Sequence, residues 1–439
     1  MSVPAQPGTH KLLTVLGVTF GLAVVVGNSI GAGIVRTPGT IAGHLPDFWP
    51  FIAVWVAGGL YALLGTNAMA ELATMIPRSG GQYVFVRRGL GEYPGFVVGW
   101  SDWLSTCGSM AAMAILLGES MVGLFPELRT QQVVALAAIA GLTVIQWLGV
   151  RWGGAAQTVT SALKVLVLLA FVAVCFALGS RNPLFSIVTA DREGWLLLPF
   201  ILSLQAVIYT FDGWAAPVYF SEEIRRPGRS LPRAMFGGVL TVIVIYLLLN
   251  IAFAVVVPLP TLAGKNLAAG AVAQHLFGYH GDTVIRAVMV IALISAVNST
   301  LMMAPRVLFA MGSDRLFWRG ARQVNAGGTP DVALLVSTIV AAVFIASGTF
   351  EQVIAKLAFF FVASYALSFL SLFVLRRREP AAPRPYRAWG HPWTTGLALA
   401  GSVVFLLAAI GADPRNSLWA AGLLALSYPV YRVVRGGEN

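Results

Sequence analysis

The stretch Asn28-Ser29-Ile30-Gly31-Ala32-Gly33-Ile34 decides how this chain is read. It lies inside an apolar segment, 12–41, long enough to cross a bilayer as one helix. Two glycines flanking an alanine weaken a helix at that point. Lipid cannot satisfy a freed N–H or C=O, so a helix broken at membrane depth must line a cavity or face other protein. The stretch therefore reads as a broken helix at a small-solute site. The competing reading is close helix packing through small residues.

The surrounding chain is that of an integral membrane protein. Of its 439 residues 57% are hydrophobic and only 11% charged, and the mean hydropathy is +0.79. A soluble domain carries about 25% charged residues. No cleavable signal peptide precedes the first apolar segment. Hydropathy predicts twelve spans, at 12–41, 49–75, 92–123, 131–150, 155–179, 195–221, 232–257, 283–312, 331–348, 352–375, 394–412 and 417–434. The net charge of +11 does not indicate nucleic-acid binding, because the basic residues sit in short loops. With the N-terminus inside, roughly nineteen Lys and Arg fall on the cytoplasmic side. Only Arg129, Arg181, Arg192, Lys265 and Arg415 fall opposite. Both termini are thus expected in the cytoplasm, and a bacterial inner membrane is the expected location. The outward loop near 257–282 has room for a short helix.

Cys107 and Cys175 lie within predicted spans and read as buried small apolar residues. The five histidines lie in loops or at span ends, with no Cys/His cluster of metal-ligand spacing. No dinucleotide fingerprint and no Walker sequence is present. No cofactor and no metal is expected. An embedded enzyme is disfavoured by the lack of a nucleophile elbow or intramembrane histidine. A channel is disfavoured because a central site for both charges suits occlusion better than conduction.

A second interruption, Tyr209-Thr210-Phe211-Asp212-Gly213-Trp214, falls in the sixth span. An Asp at mid-depth is costly unless paired or hydrated, so Asp212 is a functional-site candidate. The alternative is a carboxylate that only accepts backbone hydrogen bonds from the broken helix. The two breaks lie five spans apart. Five is odd, so a second copy of such a unit enters from the opposite side. This predicts two inverted five-helix repeats, 12–180 and 195–376, followed by helices 11 and 12 at 394–434. The freed N–H groups of Gly31, Ala32 and Gly33 then form a half-helix N-terminus that favours a carboxylate. Freed carbonyls near Gly27 to Ser29 and Tyr209 to Phe211 favour an ammonium group. A site holding both suits a zwitterionic α-amino acid.

Several pieces together resemble a known family. They are Gly27 to Ile34, the run Glu71 to Tyr83 containing Pro77-Arg78-Ser79-Gly80-Gly81, and Gly95-Phe96 with Gly99-Trp100. Further pieces are Phe211-Asp212-Gly213-Trp214, Glu222 to Arg233, Arg306 to Met311, Gly328-Thr329-Pro330 and Arg384-Pro385-Tyr386-Arg387. In this order they are similar to the amino acid–polyamine–organocation (APC) superfamily, whose fold is the inverted repeat of the leucine transporter LeuT. The resemblance covers nearly the whole chain and implies an all-α amino-acid permease. The chain departs from the pattern at Ala32, often serine, at Arg36, usually apolar, and at Trp318, commonly proline. Arg36 is expected to snorkel to the outer surface. The alternative for Arg36 is added positive potential in the outer vestibule.

The substrate-site candidates are Ser29, Ile30, Gly31, Ala32, Gly33, Tyr209, Thr210, Phe211, Asp212 and Gly213, with Phe211 also a candidate gate. Lys164 lies about nine residues into the fifth span, roughly 13 Å deep at 1.5 Å per residue. In sodium-independent relatives a lysine here resembles a substitute for a sodium ion. The resemblance implies that its ammonium ties carbonyls near Val24 to Gly27 to Ser295 and Ser299. A buried ammonium can release its proton during a transport cycle or remain a fixed cation. Glu71, Asp102, Glu119, Glu222 and Glu223 are weaker candidates. Ser105, Thr106, Ser109, Asn298, Phe360 and Ser364 are possible lining residues. The expected function is secondary-active, sodium-independent transport of neutral amino acids by alternating access, with proton symport the expected coupling. Amino-acid exchange, or exchange of amino acid for amine, is the alternative. The expected partners are the amino acid, a proton as co-substrate and the lipid bilayer, with no nucleic acid.

Overall fold

The first span is two helices rather than one. The structure is a computed structural model that describes residues 11–179, 197–348, 350–412 and 414–436. Helix α1 (Val18–Ser29) ends at Ile30, and α2 (Gly33–His44) resumes after it with its axis bent by 46°. The sixth span is broken likewise. Helix α8 (Leu197–Phe211) stops before Gly213, and the chain continues as a 3-10 turn over Ala216–Phe220. Gly213 takes φ +113°, and a Cβ there would stand 2.6 Å from the Ser29 nitrogen. Only glycine allows that conformation and that approach, so the two breaks meet backbone to backbone.

Between the breaks run α3 (Phe48–Met75), α4 (Gln82–Leu90), α5 (Glu92–Leu124), α6 (Gln131–Trp147) and α7 (Val150–Leu178). After the second break come α9 (Pro227–Val256), α10 (Leu259–Leu262), α11 (Ala268–Phe277), α12 (Gly281–Ser313), α13 (Asp331–Ser347) and α14 (Phe350–Arg378). Helices α15 (Trp393–Ala412) and α16 (Pro414–Gly436) close the chain. Among the described residues eight helical segments are long and apolar enough to cross a membrane, and the bent α1–α2 pair, taken as one span, makes a ninth. The 17-residue α6 and α13 and the 23-residue α16 fill the remaining predicted spans. The protein is thus an all-α, multi-pass membrane protein.

Two local expectations change, and a third, a short helix in the outward loop, is met. Residues 12–17 are not helical, since Leu16 pairs with Ile224 in a parallel bridge. The polar segment after α3 folds as α4, whose two arginines hid it from a hydropathy reading. The loop near 257–282 holds both α10 and α11. Arg181 and Arg192 lie outside the described residues.

Helix α9 packs on both α1 and α3, and α5 packs along α12. The breaks lie between these two groups. On the arginine-rich face the protein is tied together by ions. Glu71 is fully buried, receives Arg376 Nε at 2.9 Å and the Ala388 N–H at 2.7 Å, and lies 3.1 Å from Arg384 Nε. Asn67, one turn away, accepts from the Tyr386 hydroxyl and the Trp389 N–H. The Arg384-Pro385-Tyr386-Arg387 motif is thereby docked against α3.

Candidate functional site

The gap at Ile30-Gly31-Ala32 frees backbone groups, and the chain satisfies most of them itself. Lys164, on α7 and 1% exposed, donates to Gly27 O at 2.9 Å and Ile30 O at 2.6 Å. The ammonium thus bridges the end of α1 to the first residue of the gap. The hydroxyl of Tyr246, on α9, lies 2.6 Å from Ser29 O and 2.9 Å from Thr210 O. One O–H therefore serves both breaks. Gly31 N–H turns back to Ser29 O at 3.0 Å. Asp212 N–H bonds Tyr209 O at 3.1 Å.

This corrects the expected inventory of free groups. Gly31 does not offer its N–H, and the carbonyls of Gly27, Ser29, Tyr209 and Thr210 each already accept a hydrogen bond, so an ammonium group meets them only through a lone pair left over. The open donors belong to Ala32 and the first turn of α2, which has no side-chain cap. They point the positive end of the α2 dipole at whatever occupies the gap.

A cavity with about 720 Å³ of empty space, partly continuous with solvent, lies against both breaks. Of the predicted site residues, Ser29, Gly31, Ala32, Gly33, Tyr209, Thr210, Asp212 and Gly213 line it. Ile30 and Phe211 do not. Ile30 is fully buried and meets Lys164 through its carbonyl. Phe211 is 1% exposed and packs on Tyr246 and Trp55, with ring centroids 4.8 and 6.3 Å away. In this conformation it supports the break from behind rather than covering the cavity. A Cβ on Gly31 would touch only Met113, at 3.5 Å, whereas one on Gly33 would press on Thr210 at 2.9 Å. Gly33 is needed for packing, and Gly31 faces free space.

The opposite wall comes from α5, α12 and α14, through Thr106, Ser109 and Met113, Thr300 and Met303, and Phe361 and Tyr365. Tyr365 donates to Asp212 Oδ1 at 2.5 Å, so the carboxylate has a side-chain partner across the cavity. Below it Tyr219 donates to both oxygens of the buried Asp102, at 2.7 and 2.9 Å. The remaining expected lining residues lie elsewhere. Ser105 bonds Asp102 O, and Asn298 accepts from Gln146 and donates to Gln157. Phe360 and Ser364 are buried off the cavity. Ser295 pairs with Ser161 at 2.9 Å, and Ser299 reaches Val24 O at 3.4 Å. Ser161 and Ser299 bond α1 at Ala23 O and Val24 O, and neither Ser295 nor Ser299 bonds the Lys164 ammonium. Sequence reading missed Tyr246, Tyr365 and Tyr219; Tyr246 shares its span with Thr241 and Asn250, so no single polar residue there stood out.

On the arginine-rich face the cavity is underlain by a buried ion pair. Arg306 of α12 holds Glu223 through two bonds, at 2.6 and 2.8 Å, and lies 4.4 Å from the Phe220 ring. Leu16 N–H donates to Glu223 O, and Arg225 N–H to Leu16 O. Glu222 bonds Ser79 across to the segment after α3. Nearby, Asp314 takes Arg78 at 3.1 Å, Arg87 at 2.9 Å and the Tyr83 hydroxyl at 3.0 Å. Breaking a buried pair costs roughly 3–5 kcal/mol, a figure that applies to Arg306–Glu223 and not to the half-exposed arginines on Asp314. At the other end, Arg36 approaches Glu119 of α5 at 4.0 Å instead of extending alone to the surface.

A family model described as amino acid permease matches residues 11–429. The chain is 27% identical to the serine/threonine exchanger SteT of Bacillus subtilis, over 95% of each protein. It is 27% identical to the b(0,+)-type amino acid transporter 1 of Oryctolagus cuniculus, over 87% of this chain and 80% of that one. With the Asc-type amino acid transporter 1 of Mus musculus the identity is 26%, over 85% and 72%. A match over nearly the full length, on a chain whose first and sixth spans both break around one cavity, places this protein in the amino acid permease family of the APC superfamily.

Proposed function

We propose that this protein carries neutral α-amino acids across a cell membrane by alternating access, without sodium, and that an inward proton gradient drives uptake. The observation that carries the reading is one cavity lined by Ser29, Gly31, Ala32 and Gly33 of one broken span and by Tyr209, Thr210, Asp212 and Gly213 of the other. The open N–H groups at the start of α2 suit the substrate carboxylate. Among the described residues no Lys or Arg side chain lines the cavity, so an acidic side chain meets no counter-charge from them. The one lining carboxylate, Asp212, is engaged by Tyr365. Sodium independence rests on Lys164, whose charge already occupies Gly27 O and Ile30 O; a metal cation beside it would be repelled. The tied arginine-rich face supports the closed gate of one transport state. By the positive-inside rule that face is cytoplasmic, with both termini on it. In this reading residues 12–180 and 195–376 are the two inverted repeats, moving relative to each other.

A second reading, obligate amino-acid exchange, is favoured by the relationship to an exchanger over 95% of both chains. Reconstituted protein separates the two. Proton-driven symport predicts net uptake into amino-acid-free liposomes when the outside is acidified, unchanged on replacing sodium with choline. Lys164→Arg, which stays charged at every accessible pH, would abolish that drive while leaving counterflow. Uptake that requires internal amino acid and ignores the pH gradient would establish exchange. A steep sodium requirement would refute both.

A further inference from the structure

We infer that Thr106 on α5 reads an uncharged hydrogen-bonding group, hydroxyl or amide, on the substrate side chain. The inference rests on the amino-acid reading above. It starts from which hydroxyls around the cavity are already committed. Thr300 returns its hydroxyl to Ala296 O and Val297 O, at 3.1 and 3.0 Å. Thr210 donates to Ala206 O and meets Thr37, both at 2.8 Å. Two lining hydroxyls, those of Ser29 and Thr106, are buried without a partner.

Within a helix a serine or threonine normally returns its hydroxyl to a carbonyl one turn back. Two other hydroxyls on this part of α5 do so: Ser101 bonds Val97 O at 2.8 Å, and Ser105 bonds Asp102 O at 3.0 Å. Thr106 does not, although it is only 2% exposed. Leaving a buried hydroxyl unpaired costs roughly 1–3 kcal/mol. Ser29 sits at the break itself, beside the groups that face the substrate's charged ends. Thr106 is on the wall contributed by α5, so its partner is the side chain.

Water can fill this role while the cavity is empty, but an apolar side chain would displace the water and leave the hydroxyl unpaired. A hydroxyl or amide would replace it. Sites built to hydrogen-bond a substrate reject isosteres that lack the group. The charged alternatives fit less well: an acidic side chain meets no cation among the described residues, and Thr106 adds no charge for a basic one.

The test is binding by purified full-length protein, read as competition or thermal shift, with threonine against valine and asparagine against leucine. The first pair is isosteric and the second nearly so. Wild type is expected to prefer the polar member of at least one pair by roughly tenfold, equivalent to about 1.4 kcal/mol. Thr106→Val should abolish that preference by weakening the polar ligand and strengthening the apolar one, and Thr106→Ser should restore it. Retained valine or leucine binding by Thr106→Val shows that the variant is folded. A preference confined to threonine identifies the hydroxyl, and one confined to asparagine the amide; either supports the inference. Equal binding within both pairs in the wild type, or an unchanged preference in Thr106→Val, overturns it. Failure of the wild type to bind any of the four would instead refute the amino-acid reading.

Discussion

Replacing Lys164 by methionine keeps the length of the side chain and removes the ammonium. In the wild type that group makes two short bonds, to Gly27 O and Ile30 O, both wholly buried. Hydrogen bonds to a charged group contribute roughly 1.5–3 kcal/mol each. Part of this is offset because the cost of burying the charge also disappears. A net loss of about 3 kcal/mol remains, and it falls on the geometry of the break. If the substrate needs that geometry, its apparent dissociation constant rises by the inverse of the fraction still in place, roughly 150-fold. Equilibrium binding to Lys164→Met, with gel filtration and thermal unfolding as controls for folding, measures the effect. Binding within about threefold of wild type by a folded variant would refute the claim that Lys164 shapes the substrate site.

Tyr246→Phe removes the one hydroxyl shared by the two breaks but keeps its ring against Phe211 and Trp55. It should lower stability by about 1–3 kcal/mol, chiefly through the orphaned Thr210 carbonyl, seen as a lower unfolding temperature and weaker substrate protection. Glu71→Gln leaves Arg376 and the buried Arg384 without their carboxylate, at a cost of about 3 kcal/mol, and should make residues 380–392 the first site of proteolytic cleavage. His391, in the segment before α15, is held below its ordinary pKa of 6.5 by burial and then by the Arg376 charge. The folded state then binds fewer protons than the unfolded state as pH falls through 6.5, so stability is present above that range and declines below it. Melting temperatures between pH 7.5 and 5 should show this slope, and His391→Gln should flatten it.

The two breaks were legible because glycine and a mid-depth aspartate stand out in apolar runs, and the positions of α3, α5 and α12 followed from hydropathy alone. Lys164 was legible for the same reason: one charge in a span has little else to do than meet freed carbonyls. What stayed hidden depended on the third dimension. Tyr246 joins Ser29 to Thr210, and no spacing along the chain tells which side of α9 faces the breaks. The free state of Gly31 N–H was misread because a turn back to Ser29 O is a local backbone choice within the gap. The role of Phe211 as a wall reflects packing against Trp55, 156 positions earlier in the chain. The short α4 was invisible because its pattern is not apolar.

The central claim is that the paired breaks hold both charged ends of an amino acid. Its most direct test is calorimetric titration of wild-type protein with one bound amino acid, the amine left by removing its carboxyl group and the acid left by removing its amino group. The account predicts binding of the amino acid and a loss of at least about a hundredfold for each truncated ligand, since each forfeits charge-assisted hydrogen bonds worth roughly 3 kcal/mol. An amine that binds as tightly as its parent would contradict the carboxylate site at Ala32 and Gly33, and with it the reading of the first break.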